Sequence, residues 1–159
     1  MDVMRKKLRS NLIIKGRHQA YWLDEFGLVL RSDRVENVVV YEGIETMFKK
    51  MANEYGGSLA INKAALGSGT NTAVVGDTQL QSETYRNDVI SATAGNNVIY
   101  VDAFFTQTEV TGTFREFGFF IDGGTTSSSG YLWNRTNVNW TKSSVESLFI
   151  RSTFTITNA

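Results

Sequence analysis

The sequence predicts a mainly β protein, an antiparallel β-sandwich of jelly-roll-like form, with one short amphipathic helix near residues 38–54. Three observations predict it. From residue 58 onward, short runs rich in β-branched and aromatic residues recur between clusters of Gly, Asn, Ser and Asp. In "SLFIRSTFTIT" (147–157), Leu148, Ile150, Phe154 and Ile156 alternate with Phe149, Arg151, Thr153 and Thr155, the period of a half-buried strand. Residues 35–55 change period: Val40, Ile44, Met47, Phe48 and Met51 fall on one helical stripe.

Taken in order, residues 19–31 read as a hairpin, with Tyr21, Trp22 and Leu23 before a "DEFG" turn and Leu28, Val29 and Leu30 after it. The helical stripe follows, reads as core packing, and stops at Gly56-Gly57. "SLAINKAAL" (58–66) is a strand and "GSGTNT" (67–72) a loop. "TQLQSETYRNDVI" (78–90) suits either a short helix or an irregular strand. "NNVIYVDAFFT" (96–106) is apolar on both faces, as a covered strand is. "TFREFGFFI" (113–121), "YLWNR" (131–135) and the alternating 147–157 complete the set. "GGTTSSSG" (123–130) has the composition of a flexible surface loop.

Composition supports one domain. The chain has 159 residues, 42% of them apolar and 12% aromatic, enough to bury a real core. Sixteen Lys and Arg balance sixteen Asp and Glu, so no global field draws it to nucleic acid or membrane. The balance is uneven along the chain. In residues 1–17, Arg5, Lys6, Lys7, Arg9, Lys15 and Arg17 oppose Asp2 alone, and the remainder carries the compensating negative charge. The chain therefore divides into a basic arm, residues 1–17, and a single sandwich domain, residues 18–159, with Arg5, Lys6, Lys7 and Arg9 as candidate partner contacts. Cysteine is absent, which excludes disulfides and thiolate metal sites and fits a reducing compartment. "NLII" is too short for a signal-peptide core, and no run approaches the roughly 20 apolar residues of a membrane span. Proline is absent too, so turns rest on Gly, Asn and Asp.

Residues 113–121 pose a sharper problem. On a regular strand, Phe114, Glu116, Gly118 and Phe120 share one face, and Arg115, Phe117, Phe119 and Ile121 the other. Arg115 can lay its stem on apolar surface and reach water. Glu116 is too short for that and needs a cation, because an unpaired buried carboxylate costs several kcal/mol. "LQSETYR" places Glu83 and Arg86 three residues apart, and Arg86 is the expected partner of Glu116, with Gly118 leaving room for the guanidinium. The role of Arg86, Glu116 and Glu83 is then architectural. A glycosidase pair of Glu83 and Glu116 has no other support in the sequence.

Other chemistry is thin. His18 is the single histidine, so no multi-histidine metal site forms. "GSGTNT" lacks the Lys-Ser/Thr of a phosphate-binding loop. The sequons at Asn134 and Asn139 read as polar loop residues. Tyr131, Trp133 and Trp140 lie among Asn and Thr, a mixture that can stack on sugars or dock a partner, although Tyr131 and Trp133 also fit a core alternation. No catalytic residues, metal or cofactor are expected.

The order of these segments resembles a group of tailed-bacteriophage virion proteins. "FGLVLRSDRVENVVVYEGIETMFKKMA" is similar to their hairpin and short helix, and "AALGSGTNTAVVGDTQLQSETYR" to their strand, G-x-G-T loop and L-x-x-E-x-x-R segment. "TGTFREFGFF", "GYLWNR" and "TKSSVESLFIRSTFTIT" are similar to their G-T-x-x-E-x-G strand, next hairpin and final strand. The resemblance spans roughly residues 25–157. It departs where the family has prolines after the G-x-G-T loop and this chain has Ala73, Val74 and Val75. The resemblance implies a non-enzymatic structural component of a virion, assembled in the host cytoplasm: tail, baseplate or fibre-attachment region, or else head-tail connector or capsid decoration. It implies a symmetric oligomer contacting copies of itself and neighbouring virion proteins, not nucleic acid or membrane. It carries over Glu83, Arg86 and Glu116 as structural residues. A carbohydrate- or receptor-binding module recognising a host-surface glycan is the alternative.

Overall fold

The structure is a computed structural model that describes residues 12–158. Eight strands and one helix follow in order: β1 (Leu12–Leu23), β2 (Val29–Val39), α1 (Tyr41–Met51), β3 (Ile61–Gly67), β4 (Glu83–Ala94), β5 (Val98–Phe105), β6 (Gly112–Ile121), β7 (Tyr131–Lys142) and β8 (Ser147–Asn158). The expected sandwich is overturned. The strands close into an antiparallel barrel in the order β1-β2-β7-β6-β3-β4-β5-β8.

Two strands turn the corners that a sandwich would leave as edges. β4 pairs with β3 through residues 83–88 and with β5 through residues 89–94, with a register shift between Val89 and Ser91. The ambiguous 78–90 segment is therefore largely a strand that changes neighbours at a bulge, which is how a sheet bends through a corner. β2 pairs with β1 from Val29 to Asn37, then with β7 at Val38 and Val39 only. The barrel thus closes through a short seam.

Strand lengths also differ from expectation. β1 begins at Leu12, so the described part of the basic arm is strand, paired with β8 from Leu12↔Asn158 to Leu23↔Ser147. β7 runs on through the Asn- and Thr-rich stretch to Lys142. There Thr136, Val138, Trp140 and Lys142 point inward while Asn137, Asn139 and Thr141 face water, a period of two hidden by polar composition. Asn134 is buried in this strand, not in a loop.

The helix is the second correction. Its buried positions are Gly43 and Thr46, not the apolar stripe. A Cβ on Gly43 would meet the Trp133 ring at 2.7 Å, so glycine lets α1 lie directly on β7. Val40 is buried and Ile44 and Met47 are half-buried, whereas Phe48 is 54% and Met51 77% exposed. Met47 helps line a recess of about 200 Å³ at the barrel mouth, with Ile14, Trp133, Phe154 and Ile156.

Phenylalanine and tryptophan fill the barrel. Phe117, Phe119, Trp133, Trp140 and Phe154 join Leu148, Ile150, Val101, Ala103 and Phe105 in one cluster. The alternation on β8 holds: Leu148, Ile150 and Phe154 point inward, with Ser152 between them. Inside this cluster lies His18, fully buried and edge-on to Phe117. Asn134 Oδ1 accepts the Phe119 N–H at 3.2 Å, which turns its Nδ2 toward His18 Nε2 at 3.0 Å. Nε2 is then an acceptor, also for Asn37 Nδ2 at 3.0 Å, and Nδ1–H donates to Ser152 Oγ at 2.6 Å. Burial lowers the His18 pKa from 6.5 to about 3.

The imidazole makes stability pH-dependent. The unfolded chain binds a proton below pH 6.5, and the native state does not until about pH 3. This contribution is complete above pH 6.5 and falls as pH drops through that window, by about 1.4 kcal/mol per pH unit. Urea melts between pH 7 and 5, above most carboxylate titration, should show this slope in the natural chain and its loss in His18→Gln. An equal slope in both would show that His18 takes up its proton in the folded state.

Candidate functional site

The polar machinery is concentrated where loops cross the outside of the barrel. β6 carries a bulge between Phe114 and Glu116 in its pairing with β7. The bulge puts Phe114 in the inner cluster with Phe117, Phe119 and Ile121, and leaves Arg115 exposed against Asn139. Glu116 and Phe120 face outward, where residues 68–82, joining β3 to β4, cover them. Leu80 of that connection packs with Val40, Ala65, Phe120 and Leu132 in a second apolar cluster. β6 is therefore covered on both faces, as its sequence implies.

The expected partner of Glu116 is wrong, and the need for one is right. Glu116 has no exposed side-chain area and accepts Nε–H of Arg135, on β7, at 2.8 Å. It also accepts the backbone N–H groups of Gly69 at 3.0 Å, Gln81 at 2.9 Å and Ser82 at 2.7 Å. The carboxylate thereby pins both ends of the β3–β4 connection. Arg135 continues outward, donating Nη1 to Asp77 at 2.9 Å and Nη2 to the Asn71 carbonyl at 2.9 Å. Burial pulls the Arg135 pKa down, and the hydrogen bonds and charges of Asp77 and Glu116 outweigh it, for a net rise. The glycines of "LGSG" make room: a Cβ on Gly67 or on Gly69 would stand 2.5 Å from Glu116 Oε1. The space above Gly118 is taken by Leu80 and the Asn134 carbonyl rather than by a guanidinium.

Arg86 instead forks its own neighbour. Its Nε and Nη2 reach Glu83 at 2.5 Å and 2.9 Å. Its guanidinium lies 4.4 Å from the centre of the Phe120 ring, and Nη1 donates to the Gly124 and Ser129 carbonyls. Glu83 Oε2 accepts the Ser128 N–H at 2.9 Å. The "GGTTSSSG" segment, read as a flexible loop, is thus tied to the barrel by both members of this pair. A third carboxylate completes the pattern. Asp122 accepts from the Tyr55 hydroxyl at 2.5 Å, the Leu59 N–H at 2.9 Å, the Ala60 N–H at 3.2 Å and the Ser58 hydroxyl, tethering residues 52–60. Burial raises the Asp122 pKa, and those hydrogen bonds reverse the shift to a net lowering. Burial and the Asp122 bond push the Tyr55 hydroxyl up to about 12.

Arg135, Asp77 and Asp122 are the residues that sequence reasoning missed. The strand "YLWNR" already carries Arg135; what the sequence does not show is that this strand pairs with β6, Arg135 opposite Gly118. Glu83 and Glu116 are each saturated by donors and belong to separate networks, so they do not form an opposed acid pair. Of the loop aromatics, Trp140 is 1% exposed and donates to Asp33, and Trp133 lies in the core. Tyr131 alone is presented, 41% exposed and edge-on to Tyr55. Arg5, Lys6, Lys7 and Arg9 lie outside the described residues. Among the described residues, no three His, Asp or Glu side chains gather as metal ligands.

No family model, curated protein or solved structure matches the chain.

The two networks make distinct energetic predictions. Arg135→Met should lower the unfolding free energy by about 3–5 kcal/mol, because it strands Glu116. In double-mutant cycles read by urea denaturation, Arg135 and Glu116→Gln should couple by more than about 1 kcal/mol. Arg86→Met and Glu116→Gln should be additive within about 0.5 kcal/mol. Strong Arg86–Glu116 coupling would contradict the assignment.

Proposed function

We propose that this protein is a non-enzymatic structural component of a tailed-phage virion, in the tail, baseplate or fibre-attachment region, assembling as a symmetric oligomer. The motif order in residues 25–157 supports the virion assignment. The observation that carries the assembly reading is the apolar surface held on ordered elements. At one barrel end, α1 presents Tyr41, Phe48 and Met51, and Val74 and Val75 are exposed beside it, the Val75 carbonyl accepting the Tyr41 N–H. At the other, the β1–β2 turn presents Phe26 and Leu28, and the β7–β8 turn presents Val145. Apolar groups concentrated in this way on folded elements mark interaction surfaces.

The three carboxylate networks suit such a role. Each fixes a long connection against the barrel, so the surface offered to a neighbour keeps one shape. Ordering those loops during folding removes that entropy cost from assembly. The glycan-binding alternative loses two of its three aromatics, since Trp133 and Trp140 belong to the core. The reading predicts a defined oligomer by size exclusion with light scattering, and the protein's peptides in mass spectra of purified particles from an infected host. A strict monomer absent from particles would contradict it.

A further inference from the structure

Trp133 carries a hydrogen-bond donor that the fold does not use. Of the three tryptophans, Trp22 donates Nε1–H to the Thr141 carbonyl at 2.9 Å and Trp140 donates to Asp33 at 2.8 Å. Trp133 is 5% exposed, and its Nε1 is buried with no acceptor among the described residues. The Phe154 ring beside it, tilted by 75° with ring centres 5.5 Å apart, offers at most a π face, which is a weak acceptor. Gly43 packs on the other edge of the indole: an added Cβ there would meet Cε3, across the ring from Nε1. A buried donor left in this way carries a desolvation cost that an acceptor atom would recover.

The same residue borders the recess at the barrel mouth. About 200 Å³ of space lies between Ile14, Met47, Trp133, Phe154, Ile156 and the turn from Ala94 to Val98. None of the lining residues is charged. The turn is fixed to β8: the Asn97 carbonyl accepts the Ile156 N–H at 2.8 Å, and Asn97 Nδ2 donates to the Ile156 carbonyl at 3.0 Å. That wall is preformed, as the walls of small-molecule sites usually are. Met47, on α1, supplies a flexible thioether that adapts to what it covers.

We propose that this recess binds a small uncharged ring compound bearing one acceptor oxygen, of the aryl ketone or aryl ester class, and that the oxygen takes the Trp133 Nε1–H. Three features select that chemistry. An apolar cavity of about 150 Å³ holds one benzene ring, so this space takes a ring with a short substituent. Walls without charge disfavour a carboxylate or an ammonium group. The unused donor calls for an oxygen beside the indole, which neither a plain hydrocarbon nor the methyl end of an acyl chain supplies. Water is a poor occupant there, because a buried water needs roughly two to four polar partners and finds one donor against Phe154.

Proton–nitrogen correlation spectra of the full-length chain test this, with acetophenone as the probe. Acetophenone at millimolar concentration or below should move the Trp133 indole N–H downfield and saturate, and leave the Trp22 and Trp140 signals in place. Ethylbenzene, of the same shape without the oxygen, should give no such downfield shift. Trp133→Phe should cost acetophenone about tenfold in affinity and ethylbenzene less than about twofold. Met47→Trp fills the recess from a half-buried helix position and should abolish binding of both, with an unchanged circular-dichroism spectrum. If Trp133→Phe does not fold, the spectra of the natural chain and of Met47→Trp decide. The absence of a saturable Trp133 shift in the natural chain, an equal shift with ethylbenzene, or a shift that survives Met47→Trp overturns the proposal.

Discussion

One buried carboxylate organises the outside of this barrel. Glu116 is fully buried and meets four donors: a guanidinium and three amides from the two ends of one connection. A buried charge missing such partners would cost several kcal/mol, so native packing requires the β3–β4 connection to lie on β6. That placement brings Leu80 over Phe120 and Leu132, which forms the second apolar cluster. It also sets Val75 beside the start of α1. Gly67 and Gly69 belong to the same device, because any side chain there would displace the carboxylate. Loop, outer core and helix entry thus depend on one side chain.

The interior obeys a different constraint. Eight strands enclose a space that side chains can fill, and here large aromatic rings fill it. His18 is the one titratable group at its centre, held neutral by burial and by two amide donors on Nε2. Its place follows from Gly16, two residues earlier, where a Cβ would overlap the Asn37 amide that reaches the ring. The cost of closing the barrel falls at the seam, where β2 and β7 share only two paired positions and side chains do the remaining bridging.

Much of this was legible in the sequence, and the failures share a cause. The β8 alternation, the one helix and the twofold covering of β6 followed from period and composition. Closure did not, because it depends on β4 and β2 changing neighbours along their length, and local pattern does not report neighbours. The helix stripe misled for a related reason: Gly43, which carries no hydrophobic signal, marks the buried face. The demand of Glu116 for a cation is correct, but the Glu83–Arg86 spacing in "LQSETYR" points to Arg86, whereas the partner is Arg135, 19 residues from Glu116. Arg135 ends the segment "YLWNR", read as a strand, but nothing in that short segment shows that it lies beside β6 with Arg135 on the Glu116 face. The tethering of residues 123–130 was invisible, since glycine and serine offer backbone groups whose partners lie elsewhere in the chain.

Amide hydrogen exchange on the native protein tests the central claim most directly. If Glu116 fixes the β3–β4 connection, the Gly69, Gln81 and Ser82 amides should exchange as slowly as those in the middle of β6 and β8, although they lie in a connection with no strand pairing. Exchange at the rate of an open loop would contradict the account, because the carboxylate would then be solvated and the connection would not be part of the folded core.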